Sequence, residues 1–183
     1  MNVVYDENKN KKDLIMKAII FLDIDGVLAP KKMFSPYEPD PFLKERLVKA
    51  KNDPGIGRLP DTLVNQIFHH FDPESCGLIR MLCQAYDAKL VITSSWRLFY
   101  NEEQLRAIIN IFDLGAYMIG ATRPGLPRYQ VIREYIDEHD VKRYVVVDDL
   151  NMSRQFPNHF VLASYRFESE QYEQTKRLLS WQR

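Results

Sequence analysis

Cysteine is nearly absent: Cys76 and Cys83 are the only two in 183 residues. They are too few for a disulfide framework, and no Cys-x-x-Cys pair exists. One heptad apart in a stretch of helical pattern, they share a face but are too distant to bridge, so they read as reduced core thiols. Long apolar runs are missing too, and the opening MNVVYDENKNKKDLIMK places charges where an export signal needs its apolar stretch. The expectation is a soluble, cytoplasmic chain with no membrane partner. Neither sign of charge dominates, since 25 basic residues balance 25 acidic ones. That balance removes any global pull toward nucleic acid or anionic lipid, leaving partners to be argued from local sites. There is no internal repeat and no low-complexity tract. Length and an ordinary apolar fraction predict one domain over residues 1–183.

What the chain does have is alternation. Short Val- and Ile-rich runs predict strands over 18–23, 89–93, 116–120, 144–148 and 159–163. Helical periodicity predicts helices over 102–112, 129–138 and 168–181, with Val131, Ile132, Tyr135 and Ile136 as one example of the spacing. Strands apolar on both faces and separated by helices imply an α/β fold. The expected architecture is a three-layer, Rossmann-like, mainly parallel sheet that collects ligands outside the carboxyl ends of its strands. Residues 29–71 break the rhythm with six prolines around a basic amphipathic piece at 42–51, and read as a small cap or flap inserted after the first strand.

The first strand closes on two carboxylates, in FLDIDGVLA. On an extended backbone Asp23 and Asp25 project to the same side. Like charges beside an apolar run are costly unless a cation compensates them, and magnesium prefers one or two protein carboxylates plus phosphate oxygens. Gly26 then allows a sharp turn. Three further clusters follow at strand or helix ends. Thr93 and Ser94, after Leu90-Val91-Ile92, offer hydroxyls and backbone N–H groups to a phosphate oxygen, with Trp96 expected to pack beneath and Arg97 to brace acidic side chains. Arg128 opens the helix expected from about Tyr129, and a cation there neutralises a carboxylate and a phosphoryl group together; Arg123 competes for that role. Asp148 and Asp149 end Tyr144-Val145-Val146-Val147, and a second acidic pair in one crevice is explained economically by a metal.

In this order, FLDIDGVLA, VITSSWR, a basic residue opening a helix and VVVDD resemble the four motifs of the haloacid dehalogenase-like (HAD) phosphohydrolases. The resemblance spans about residues 17–163, and looks most like the HAD domains associated with nucleic-acid repair proteins. It implies that Asp23 is the nucleophile and forms an aspartyl-phosphate, while Asp25 protonates the leaving alkoxide and then activates water. It implies a magnesium ion (Mg2+) held by Asp23, the Asp25 backbone carbonyl and Asp149, with Asp148 either an additional ligand or a residue that supports the ligands from behind. Thr93 and Ser94 would bind the phosphoryl group and Arg128 stabilise its charge. The family often has lysine in the third motif, so arginine is a departure that keeps the charge and gains a fork. Asp25 favours phosphatase chemistry, since the family's dehalogenases lack that carboxylate and its ATPases carry threonine there.

Substrate candidates are a nucleotide, a nucleic-acid terminal phosphate or a small phosphometabolite. Lys31, Lys32, Lys44, Arg46, Lys49, Lys51 and Arg58, interleaved with Phe34, Tyr37 and Phe42, suit a phosphate backbone with stacked bases. Asp40, Glu45 and Asp53 make an ordinary solvated face the competing reading. A non-catalytic nucleotide- or nucleic-acid-binding module is the alternative to an enzyme. His69 and His70, adjacent and without partner ligands, are expected in surface or core-edge roles rather than on a metal.

Overall fold

Strand β1, Ile19–Leu22, is buried along its whole length, as expected of a run apolar on both faces. The computed structural model describes residues 18–31, 36–125 and 127–182. The N-terminal tail and Lys32 and Phe34 of the inserted segment lie outside them. Strands β2 (Lys89–Ile92), β3 (Met118–Ala121), β4 (Tyr144–Asp148) and β5 (Phe160–Leu162) join β1 in the order β3-β2-β1-β4-β5. Every pairing is parallel. Leu22 lies beside both Ile92 and Val147. That register brings the carboxyl ends of the three central strands into one line.

Alternation along the strands divides the core in two. Ile20, Leu22, Leu90, Ile92, Val145 and Val147 belong to a large cluster on one face, and Ile19, Phe21, Val91 and Val146 to a smaller one on the other. Helices α1 (Leu43–Lys51), α2 (Pro54–Gly57), α3 (Asp61–His70), α4 (Pro73–Tyr86), α5 (Glu102–Asn110) and α7 (Ser169–Trp181) all contribute to the large cluster. Helix α6 (Arg128–Glu138) covers the other face with Ile132, joined by Met152 and Phe156 from the segment after β4. Phe21 is held edge-on by Tyr135 at 5.6 Å and Tyr144 at 5.9 Å. Burying each such side chain contributes about 1.5–3 kcal/mol.

Several expected boundaries shift by one or two residues; the first strand is trimmed to Ile19–Leu22, the second ends at Ile92 and α5 ends at Asn110. The third strand starts at Met118 rather than 116, because Gly115–Tyr117 closes a 3-10 turn first. The fifth is trimmed to Phe160–Leu162. The proline-rich insertion holds three helices instead of one. Pro54 sits in the first turn of α2 and Pro60 just before α3, positions where a missing N–H costs nothing. Cys76 and Cys83 lie buried and unpaired on α4, and burial pushes the Cys83 thiol up to about 12. Among the described residues, no helix is long and apolar enough to cross a membrane.

Candidate active site

At the end of β1 the Asp23 backbone N–H donates to the Val147 carbonyl at 3.1 Å. This extends the ladder one residue past the strand and turns the Asp23 side chain inward, where it is 2% exposed. Its Oδ1 accepts from the Ile24 N–H at 2.8 Å and its Oδ2 from Arg128 Nη1 at 2.6 Å. The chain then folds tightly, the Ile24 carbonyl receiving the N–H groups of Val27, Leu28 and Ala29. Gly26 makes the turn possible with φ +76°; a Cβ there would meet the Asp149 carboxylate at 2.8 Å. Since β1 stops at Leu22, the alternation expected to align Asp23 with Asp25 is not carried by a strand. The two carboxylates take separate partners: Asp25 Oδ2 accepts from Trp96 Nε1 at 2.9 Å. Beside Asp25, a cavity of about 80 Å³ is lined by Gln66, Ile67 and His70 of α3, with Ala29, Phe71 and Trp96.

Strand β4 delivers the second acidic pair. Asp148 is fully buried, and both of its oxygens accept from Arg128 Nη1, at 2.8 and 2.7 Å. The Leu150 N–H adds a bond to Oδ1 at 2.8 Å. Asp149, less buried, pairs with Lys31 Nζ at 2.6 Å. Asp23, Asp148 and Asp149 each offer an oxygen within 4.8 Å of the others. Burial first, and then the Asp148 charge, push the Asp23 carboxyl up to about 7, against the opposing pull of Arg128 and the Ile24 N–H. Burial likewise raises Asp148, with Arg128 again opposing. Two cations therefore face three clustered carboxylates, and Asp25 adds a fourth nearby. The donor set is all carboxylate oxygen, which fits a hard divalent cation.

Thr93 is drawn to the same edge by its N–H bond to the Leu22 carbonyl at 2.9 Å. Its hydroxyl is buried and has no partner among the described residues. Ser94 is fully buried as well, but its hydroxyl faces the Trp96 N–H at 3.5 Å, at the head of the 3-10 turn Ser95–Leu98. Arg128, the first residue of α6, bridges Asp23 and Asp148, whereas Arg123 is held by Glu134 at 2.6 Å.

Two expected supporting roles change. Arg97 forms no ion pair with a carboxylate among the described residues; it donates to the Thr93 and Ser94 carbonyls and so stiffens the loop after β2. Trp96 does more than pack, because its indole N–H orients Asp25. Lys31, grouped from sequence with the basic patch, belongs to the acidic cluster through Asp149. The sequence signal for it was only its position just past the Gly26 turn. Most of the patch is internally neutralised: Lys44 pairs with Asp61 at 3.0 Å, Lys51 with Asp113 at 2.8 Å, Arg46 with Asp40 and Arg58 with Glu103. His69 and His70 both pack on Tyr37, with ring centroids 4.3 and 5.5 Å away.

Comparison with protein families matches residues 19–168 to the HAD domain in Swiss Army Knife RNA repair proteins. Searches of curated proteins and of solved structures return no match.

Proposed function

Because the chain belongs to the family of HAD domains in Swiss Army Knife RNA repair proteins, and so carries a HAD-type phosphohydrolase fold, we propose that it is a magnesium-dependent phosphomonoesterase acting through Asp23. The terminal phosphate of a nucleic acid is the substrate class that the family description favours, ahead of a free nucleotide or small phosphometabolite. In the same reading residues 1–183 form one cytoplasmic domain and residues 29–71 are its cap.

The observation that carries this reading is the convergence of Asp23, Asp148 and Asp149 within 4.8 Å at the carboxyl edge of a parallel sheet. Asp23, Asp149 and the Asp25 backbone carbonyl would hold magnesium, with Asp148 contributing. When bound, the ion neutralises negative charge on the carboxylates and on the phosphoryl oxygens. The Asp23 carboxylate forms a bond to phosphorus as the ester P–O bond breaks, and Asp25 gives its proton to the departing alkoxide. Asp25 then takes a proton from water, whose oxygen attacks the aspartyl-phosphate, releasing phosphate and restoring Asp23. The Trp96 N–H on one Asp25 oxygen keeps the carboxyl aimed while leaving its other oxygen for the proton. The Thr93 hydroxyl, unpartnered among the described residues, and the Ser94 loop donate to phosphoryl oxygens. Arg128, already bridging Asp23 and Asp148, supports the charge that develops during transfer.

Phosphate release from an aryl phosphate, a nucleoside monophosphate panel and terminally phosphorylated oligonucleotides, each with magnesium or EDTA, tests the proposal. Release that requires magnesium is expected, with the oligonucleotides preferred. No release from any substrate by folded protein would overturn the phosphatase reading in favour of a binding module.

A further inference from the structure

At the carboxyl ends of β2 and β3, on the same edge of the sheet as the acidic cluster, lies a cavity of about 390 Å³, a size that accommodates a small organic ligand. Arg97, Tyr100, Asn101, Glu102, Thr122 and Arg123 contribute to its walls. Thr122 is positioned as Thr93 is, by an N–H bond from the end of its strand to the neighbouring strand's last carbonyl, Ile92, at 2.9 Å. It is only 3% exposed, yet its hydroxyl has no partner among the described residues; neither does the buried Nε of Arg97. Buried groups of this kind are costly unless something bonds to them. Two residues of one cavity wall thus carry buried polar groups without partners among the described residues, which a ligand with hydrogen-bonding edges would satisfy.

The charges around the cavity argue against a second phosphate. Arg123 is committed to Glu134 at 2.6 Å, and Arg97 Nη1 to two backbone carbonyls. Glu102 adds a carboxylate, bonded to the Ala121 N–H at 3.2 Å. What remains is a polar, nearly neutral wall with the Tyr100 ring against it, which suits a sugar and a heterocycle. Immediately before Tyr100 in the chain, Phe99 is 78% exposed and Leu98 is 55% exposed. An exposed aromatic next in the chain to a cavity-lining residue offers a stacking platform for an unpaired base. Strand β3 lies two strands from β1, about 10 Å away at the usual spacing, a separation of the order that one nucleoside bridges.

We propose that this cavity is the nucleoside subsite of the active site, with Thr122 and Arg97 Nε bonding the sugar and base that carry the scissile terminal phosphate, and Phe99 stacking the next base. The proposal rests on the phosphatase reading and adds to it that the substrate end is single-stranded. It also places recognition at the β2–β3 edge rather than on the basic face of α1.

The test is fluorescence anisotropy of labelled single-stranded hexaribonucleotides phosphorylated at the 3′ or the 5′ end, in EDTA so that no turnover occurs. Wild type is compared with Phe99→Ala, Thr122→Val and Thr122→Ser, each first checked for an unchanged melting temperature. Expected are about tenfold weaker binding for Phe99→Ala, about fivefold weaker binding for Thr122→Val, and recovery in Thr122→Ser, which restores the hydroxyl. Failure of the wild type to bind either oligonucleotide, or equal binding by wild type, Phe99→Ala and Thr122→Val, would overturn the subsite. Aryl phosphate hydrolysis by wild type with magnesium is measured alongside. Its absence would count against the phosphatase reading, while binding lost only in the variants would still uphold the subsite.

Discussion

Arg128 holds the electrostatic balance of the cluster, since its Nη1 reaches Asp23 at 2.6 Å and Asp148 at 2.7 Å. Replacing it by methionine leaves two buried carboxylates facing each other. Removing one partner of a buried ion pair typically costs about 3–5 kcal/mol, and urea unfolding of Arg128→Met in EDTA is expected to lose that much. Arg128→Lys, which keeps the charge without the fork, should recover part of it. A stability within about 1 kcal/mol of wild type for Arg128→Met would contradict this electrostatic account. At this scale much was legible in sequence. Asp23, Thr93 and Asp148 each terminate or directly follow an apolar run, so strand-end logic finds them. Sequence left Arg128 and Arg123 as competitors, because choosing between them depends on Glu134 of α6 capturing Arg123. Lys31 and Trp96 escaped for a similar reason: their partners come from distant strands and loops, and no local pattern encodes those contacts.

Elements were legible where periodicity was strong and hidden where punctuation misled. The sheet strands and helices α5, α6 and α7 follow from alternating apolar runs. Helices α2 and α3 were concealed by prolines that read as breakers but stand at helix entrances. The side chains of Asp53 and Asp72 complete such entrances by accepting from Gly55 and Ser75 N–H groups at 2.8 Å. Helix α1 illustrates a charge pattern that composition overstates. Lys44 and Lys51 are paired with acids from elsewhere in the fold, and Arg46 with Asp40, whereas Lys49 has no ion pair among the described residues. If α1 does not track a phosphate backbone, Lys49→Glu will leave oligonucleotide affinity within about twofold of wild type and its salt slope unchanged. A clearly shallower slope in a salt titration would return the basic face to the binding surface.

For the molecule as a whole, the β3-β2-β1-β4-β5 order is what gathers residues 23, 93, 122 and 148 on one edge; the alternation of strands with helices implied a parallel sheet with ligands at its carboxyl ends, but not that order. The unequal covering of the two faces was not legible, because it depends on where the inserted helices pack. Folding and the site are linked through protons. Asp23 has an ordinary value of 3.8 and is pushed up to about 7 in the folded protein, mainly by burial. Between those values the folded state holds the extra proton, so this group's stabilising contribution is full below about 4 and is lost as pH rises through 7. In EDTA, Asp23→Asn should therefore melt above wild type by a margin that widens from pH 5 to 8. By the linkage relation its limit is on the order of 4 kcal/mol. A margin that narrows with rising pH would contradict the burial argument. Adding magnesium should raise the wild-type melting temperature at pH 8 and have far less effect on the variant.

The central claim is that Asp23 becomes covalently phosphorylated. The most direct measurement is acid quenching of wild type during turnover of a phosphorylated substrate with magnesium, followed by borohydride reduction and peptide mass analysis. The account predicts reduction of the acyl phosphate at position 23 to homoserine, and neither that product nor activity in Asp23→Asn. Full magnesium-dependent turnover by Asp23→Asn, or a label confined to another residue, would contradict it.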